Sequence, residues 1–455
     1  MPAHEGGAAI VGRPRIVPLR RRLCRRAAAS LVVLALSEPG WTAPVSPDQA
    51  PAPLVLPQVA QDIANPSAKV RRQALRGLRE RGGPETLPLL ARLLGDAELD
   101  IREGAMAGVI GVYVQPPGKR SINSAAAAFE VARFRVEVWP MPDTLPGALV
   151  KALADEWPSV RRDAAYALGI VLTPPVSDAV AFEITSSLSD RDPSVRIAAA
   201  RALGHLQVRT AGVALVGRIN DEDLDVRLAS MDALGELRDE GSVAALADQF
   251  AFFVRGAAGR AAISALGAIG HSSSVPLFEA QIASGYPAHR KAAYEGLAHS
   301  GRAEAMAQRI ETAMISEKDA RVVVAMAFAL ASAGRPGVTR VLDALTDRSR
   351  ADEALAYLVE LGQPHVAAVA ARLNDPNPVV REQIAVALGF IGGPQAAAAL
   401  TAASGESDPD VRHAIDVAQI RIKRSVAPPT SKRDAARNQP VFPADVREGA
   451  DFSYT

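Results

Sequence analysis

The stretch DRDPSVRIAAARALG, Asp190 to Gly204, has relatives along the whole chain, and this recurrence limits the fold more than any other feature. ADEWPSVRRDAAYALG ends at Gly169, NDEDLDVRLASMDALG at Gly235 and NDPNPVVREQIAVALG at Gly389. With the arginine of the Val-Arg pair or its equivalent as anchor, clear copies fall at Arg71, Arg102, Arg161, Arg196, Arg227, Arg290, Arg381 and Arg412. Neighbouring copies among them are separated by steps of 31, 35, 31 and 31 residues. Degenerate copies near Gly259, Val323 and Ala354 keep the apolar pattern without the arginine, giving about eleven units of roughly 31 residues. At this period each unit is one small element that buries its apolar face only against its neighbours.

Within a unit the pattern reads as two helices. Val195, Ala199, Ala202 and Leu203 fall at i, i+4, i+7 and i+8, one stripe of an amphipathic helix. Proline stands three residues before the anchor at Pro158, Pro193, Pro378 and Pro409, a good first helical position. Asp192, Asn377 and Asp408 precede three of these prolines as N-cap candidates, and Gly270 and Gly392 mark helix ends. A second helix follows, as in GVALVGRI and AAALTAAS. Composition agrees: 48% of residues are hydrophobic but only 4% aromatic, which suits thin, closely packed helices better than a sheet. The expected fold is all-α, an α-solenoid of about eleven two-helix repeats with one irregular insertion.

The DPxxVRxxAxxALG pattern, in DPSVRIAAARALG and NPVVREQIAVALG, resembles the short HEAT-like repeats first associated with phycobilisome lyases, over roughly residues 60 to 420. Tetratricopeptide and ankyrin repeats have similar periods, but neither signature occurs here. Asp96, Asp155, Asp190, Asp221 and Asp375 each lie six residues before an anchor. With Arg102, Arg161, Arg196, Arg227 and Arg381 they resemble the Asp/Arg ladder of HEAT repeats. Each carboxylate would then face an arginine of its own or the adjoining unit and cap exposed helix N–H groups. These ten residues are therefore read as structure rather than chemistry.

The pattern breaks twice. Between Arg102 and Arg161 lies GVYVQPPGKRSINSAAAAFEVARFRVEVWPMPDTLPG, residues 111–147, whose prolines exclude long helices at its ends. FRVEVW alternates as a short strand or extended segment does. Phe129, Phe134 and Trp139 make this insertion a candidate partner-binding element, since aromatic anchors dominate interfaces. The competing reading packs them back on the solenoid to seal an irregular joint. PPGKRS lacks the glycine that a phosphate loop needs at position 113, where Tyr113 stands. From Phe250 to Gly362 three of four units lose the anchor arginine while Phe252, Phe253, Phe278, Tyr286 and Tyr294 accumulate. Core packing is the expected role of these rings, and an aromatic groove is the alternative.

Residues 1–50 hold seven arginines against three acids, leaving 44 basic and 47 acidic side chains in the body. A body of that balance argues against a dedicated nucleic-acid binder. Arg72, Arg76 and Arg79 do share a helix face, read here as the polar outer face of a terminal repeat. RRRLCRRAAASLVVLALSEPGWTAP has the order of an export signal and is too short to span a bilayer. Export to the periplasm or outside the cell is expected, with a cytoplasmic location as the alternative. Removal of the signal would take the single cysteine, Cys24, with it. The expected organisation is a signal and linker over 1–50, N-terminal repeats over 51–110, the insertion over 111–147, the main solenoid over 148–424 and a disordered tail over 425–455.

No nucleophile or metal motif stands out. Deoxyhypusine hydroxylase, which resembles this chain in architecture, uses recurring His-Glu pairs for iron, and the one His-Glu dipeptide here is His4-Glu5. The serines of GHSSSVP, beside His271, read as a polar turn. The expectation is a non-enzymatic scaffold or adaptor without catalytic, metal or cofactor residues. It would bind a protein or peptide through the solenoid surface. A HEAT-like enzyme or lyase subunit is the alternative.

Overall fold

In the computed structural model, which describes residues 56–114, 122–347 and 349–426, the described residues form twenty-three α-helices. The expected export segment, Cys24, the PPGKRS stretch and most of the tail lie outside those residues. In chain order the helices are α1 (Leu56–Asp62), α2 (Ala68–Arg81), α3 (Leu87–Leu93), α4 (Leu99–Tyr113), α5 (Ala125–Ala132), α6 (Thr144–Ala152), α7 (Pro158–Val171) and α8 (Asp178–Ser186). There follow α9 (Pro193–His205), α10 (Gly212–Arg218), α11 (Leu224–Leu237), α12 (Val243–Phe252), α13 (Ala257–Ile269), α14 (Val275–Gln281), α15 (Pro287–His299) and α16 (Ala303–Met314). The last are α17 (Ala320–Ser332), α18 (Val338–Ala344), α19 (Ala351–Leu361), α20 (Val366–Ala371), α21 (Pro378–Ile391), α22 (Gly393–Ala402) and α23 (Pro409–Val426).

With α5 set aside, these are eleven pairs, the anchored helices being α2, α4 and then every odd-numbered helix from α7 to α23. The chemistry of their ends explains where they begin and stop. Asp192 accepts from Ser194 N at 2.9 Å, Asn377 from Val379 N at 3.0 Å, and Asp408 from Asp410 N at 3.0 Å, all three before a proline. Gly270 ends α13 in the left-handed region at φ 66°. The predicted stripe Val195, Ala199, Ala202 and Leu203 is fully buried. At roughly 1.5 to 3 kcal/mol for a leucine or valine side chain, stripes like this one hold each unit to the next.

Each anchored helix stacks on the next anchored helix, and most partner helices pack chiefly on the anchored helix that follows, as α12 does on α13 and α14 on α15. Small residues let the anchored layer close up. A Cβ at Gly267 would lie 2.5 Å from the carbonyl oxygen of Ala292 on α15, so only glycine permits that approach. The face of this layer turned away from the partner helices is an inner one, because side chains two units apart meet on it. Lys291 of α15 reaches Glu353 of α19 at 2.6 Å across the intervening α17.

The insertion is shorter than its sequence boundaries. Helix α4 runs to Tyr113, and α6, which begins at Thr144, already belongs to the next regular pair. FRVEVW is extended, as expected, though among the described residues it forms only one isolated antiparallel bridge, Val114 with Val136. His271 caps the turn Ser272–Ser274 by accepting from Ser273 N at 3.2 Å, so GHSSSVP is a connection between α13 and α14.

Candidate interaction surfaces

The ladder is a chain of ion pairs between successive units, bidentate at Arg71, Arg161, Arg290 and Arg381. Arg161 donates through Nε and Nη2 to Asp190 at 2.6 and 2.8 Å, while its Nη1 donates to the carbonyl of Asp155 at 2.9 Å in its own turn. Asp190 in turn accepts from Asp192 N at 2.9 Å, so one carboxylate ties an arginine and the entry to the next helix. Burial pushes Asp190 upward, but Arg161 and the Asp192 N–H together outweigh it and hold the carboxyl below its ordinary range. The same rung joins Arg71 to Asp96 at 2.7 Å, Arg102 to Asp155 at 2.8 Å and Arg196 to Asp221 at 2.7 Å. It recurs with glutamate where Arg290 meets Glu317 and Arg381 meets Glu406. The carboxylate always comes from the following unit.

Two predicted members depart from this scheme. Asp375 pairs with Arg372, three residues before it, at 2.8 Å, because α19 carries no anchor arginine to reach it. Arg227 donates to the carbonyl of Asp221 at 2.7 Å but has no carboxylate partner among the described residues. Asp190 and Asp221 stand two residues before their N-caps, Asp192 and Asp223; before Gly256, the N-cap of α13, that place holds Val254.

The three aromatic residues of the insertion lie against the solenoid, each partly buried. Phe129 sits 5.4 Å from the rings of both Tyr166 and His205, Phe134 meets Phe390 edge-on at 5.7 Å, and Trp139 donates to the carbonyl of Val112 at 3.2 Å. The extended part is held from both ends of the repeat array. Glu137 N donates to the carbonyl of Tyr113 at 2.9 Å, while the Glu137 carboxylate meets His413 of α23 at 2.6 Å and Arg135 pairs with Glu382 of α21. The hydrogen bond to Glu137 raises His413 above its ordinary range; burial lowers Arg421, whose guanidinium lies 3.9 Å over Phe390, to about 10. The segment is a strap, and its aromatic residues are engaged within the chain.

A polar cluster on the inner face escaped the sequence reading. Lys291 lies 2.8 Å from Glu295 and 2.6 Å from Glu353, and Tyr357 donates to Glu295 at 2.5 Å while stacking on Phe328. Burial works to lower Lys291, but the two carboxylates outweigh it and leave it raised. Glu360 takes Arg238 and His299 as partners; burial pushes it up, yet His299 first and Arg238 after it bring it down to about 2. Lys291, Glu295 and His299 are four residues apart on α15, a polar stripe that was legible, but their partners lie two units away. No group of three or more His, Cys, Asp or Glu residues among the described residues is placed to hold a metal.

The ladder edge carries a row of exposed apolar side chains at equivalent turns. Trp157 precedes α7, Leu224 begins α11, Phe252 to Val254 join α12 to α13, and Tyr286 precedes α15. Phe252 is 81% exposed and packs edge-on against Phe253 at 4.6 Å. Beneath them His289 is buried between Phe250 and Tyr286, with ring centroids 5.2 and 5.0 Å away. Core packing was the expectation for the aromatic residues here, and it is right for Phe278 and Tyr294 only. Phe252, Phe253 and Tyr286 face outward because they lie at the end of α12 and in the connecting turns, whereas the buried pair lie on core-facing sides of α14 and α15.

Residues 183–259 and 338–418 match the family described as HEAT repeats, and residues 70–96 match the PBS lyase HEAT-like repeat. No curated protein matches the sequence. Among solved structures, the complex of CpcE and CpcF of phycocyanin lyase from Nostoc sp. PCC7120 is similar at 20% identity and a TM-score of 0.38, over 63% of this chain and 99% of that one. Human deoxyhypusine hydroxylase is similar at 22% identity and a TM-score of 0.27, over 61% and 96%. The karyopherin Kap121p bound to Nup53p is similar at 14% identity and a TM-score of 0.34, over 84% and 46%. With the family matches falling on the stacked helix pairs and the ladder running through them, the chain is a HEAT-repeat protein.

Proposed function

We propose that this protein is a non-enzymatic adaptor that binds a protein or peptide along the ladder edge of its solenoid. The supporting observation is the row of exposed apolar side chains, Trp157, Leu224, Phe252 and Tyr286, at the same turn of stacked units. A repeated turn presents such groups at regular spacing, and exposed aromatic residues ordinarily mark interfaces. The strap argues for the edge over the insertion as the binding element, since Phe129, Phe134 and Trp139 already have partners.

Site-specific photocrosslinking tests this reading. Benzoylphenylalanine in place of Tyr286 should give a discrete adduct in cells, whereas the same group in place of the isolated, 88% exposed Val213 should give none. Equal labelling from both positions, or none from Tyr286, defeats the edge as the binding surface. Stoichiometric iron in the purified protein defeats the non-enzymatic reading. Export of the chain rests on the order of residues 20–44, and cell fractionation checks it.

A further inference from the structure

We infer that the interrupted rung at Arg227 is a receptor for a carboxylate of the binding partner, presented beside an apolar or aromatic side chain. The inference rests on the adaptor reading and names the chemistry of the partner at that edge.

Six anchor arginines, Arg71, Arg102, Arg161, Arg196, Arg290 and Arg381, each hold a carboxylate of the following unit within 2.8 Å. Arg227 is built into the same frame. Its Nη1 donates to the carbonyls of Asp221 and Glu222 at 2.7 and 3.3 Å, as Arg196 donates to those of Asp190 and Arg191. Its Nε is buried and has no acceptor, as in Arg102 and Arg196, but those two hold a carboxylate through Nη2 and Arg227 does not. The guanidinium is thus held in rung geometry and partly exposed, with Val254 standing where the acid belongs.

Other rungs are interrupted in other ways: α19 has lost its anchor while Asp375 keeps the acid place and turns to Arg372. Arg260 takes the anchor place on α13, four residues after the N-cap Gly256, but it is exposed, and Ser284 takes the acid place before α15. Arg227 differs from the exposed Arg260 and Arg412 in being partly buried and held by two carbonyls of its own turn while lacking its counter-charge. The residues that displace the acid are Phe252, Phe253 and Val254, the most exposed apolar cluster on the same edge. A guanidinium lacking a carboxylate, on the edge that carries exposed aromatic rings, is complementary to a side-chain carboxylate flanked by apolar groups. The carboxylate would complete a bidentate pair, and the neighbour would cover the rings.

The probe is a fluorescein-labelled peptide with the core Leu-Asp-Phe, and its counterpart with Asn for Asp, titrated by anisotropy against the full chain. The Asp peptide should bind and the Asn peptide should bind about tenfold more weakly or worse, the loss expected for one charged hydrogen-bonded pair. Arg227→Gln should lose binding. Val254→Asp supplies the missing acid from within the chain; it should abolish peptide binding while melting no lower than the parent. Equal binding of the Asp and Asn peptides, binding that survives Val254→Asp, or no binding of the Asp peptide each overturn the inference. A lower melting temperature for Val254→Asp does so too, because the rung then does not form. Sedimentation adds one more arm: a dimer that Val254→Asp dissolves would give the site to a second copy of this chain and overturn it as a receptor for another partner. If the peptide binds regardless of Arg227 and Val254, the carboxylate receptor falls while the adaptor reading stands. Failure of crosslinking at Tyr286 removes the adaptor reading by itself.

Discussion

Arg196 serves two neighbours at once, and its burial sets the cost of losing it. Its side chain and that of Asp221 are 6% and 4% exposed, so truncation leaves a carboxylate buried without its partner. Arg196→Ala should destabilise by about 1 to 4 kcal/mol in chemical denaturation and leave partner binding intact. An unchanged melting temperature with lost binding would reverse that assignment. Asp232 makes the opposite kind of contribution. It touches solvent on the inner side of α11, but surrounding protein reduces its hydration and raises it to about 6. The native state therefore holds a proton that the unfolded chain has already released near its ordinary value of 3.8. The stability associated with this group is present below that value and is lost as pH rises through about 6. Asp232→Asn should raise the melting temperature at pH 8 and change it little at pH 4; an equal gain at both would show that charge is not the cause.

Helices show the same split between local and borrowed information. The ends of α9 and α21 follow from Asp192, Asn377 and their prolines, because a cap is satisfied within three residues. The partner of each carboxylate does not follow so directly. Arg161 and Asp190 are 29 residues apart, and only stacking decides that the acid belongs to the next unit. The spacing of α13 and α15 depends on a missing atom. Gly267→Ala places a methyl group 2.5 Å from the Ala292 carbonyl, and should cost about 1 to 3 kcal/mol as the two helices are pushed apart. Thermal melts of Gly267→Ala beside Gly217→Ala, whose Cβ meets nothing within 4 Å, separate this crowding from general loss of glycine.

Across the molecule, the strap joins parts of the chain that repetition alone leaves unrelated. Nearest-neighbour stacking makes a solenoid open locally, unit by unit. Glu137 and His413 are 276 residues apart, and Arg135 and Glu382 are 247 apart, so these pairs couple α4 to α21 and α23. Replacing Arg135 and Glu137 by Gln should speed amide exchange in α21 and α23 and in the end of α4 together. Faster exchange confined to residues 122–143 would show that the strap rides on the solenoid without coupling its parts.

The sequence by itself determined the period, the helix class, the caps and eight of the ten ladder residues it named, since the repeat places each of these at a fixed distance from its own helix start. It also marked residues 111–147 as irregular and Arg227 as one more anchor. Only the tertiary structure decided that Phe129, Phe134 and Trp139 are occupied and that Lys291, Glu295 and Glu353 share one charge cluster. The rung at Arg227 was settled there too: one side chain, Val254, replaces the expected acid. Each of those outcomes turns on which units approach on the inner face and which turns line the edge. Stacking geometry sets both, and a repeat that looks the same from every unit does not encode them locally.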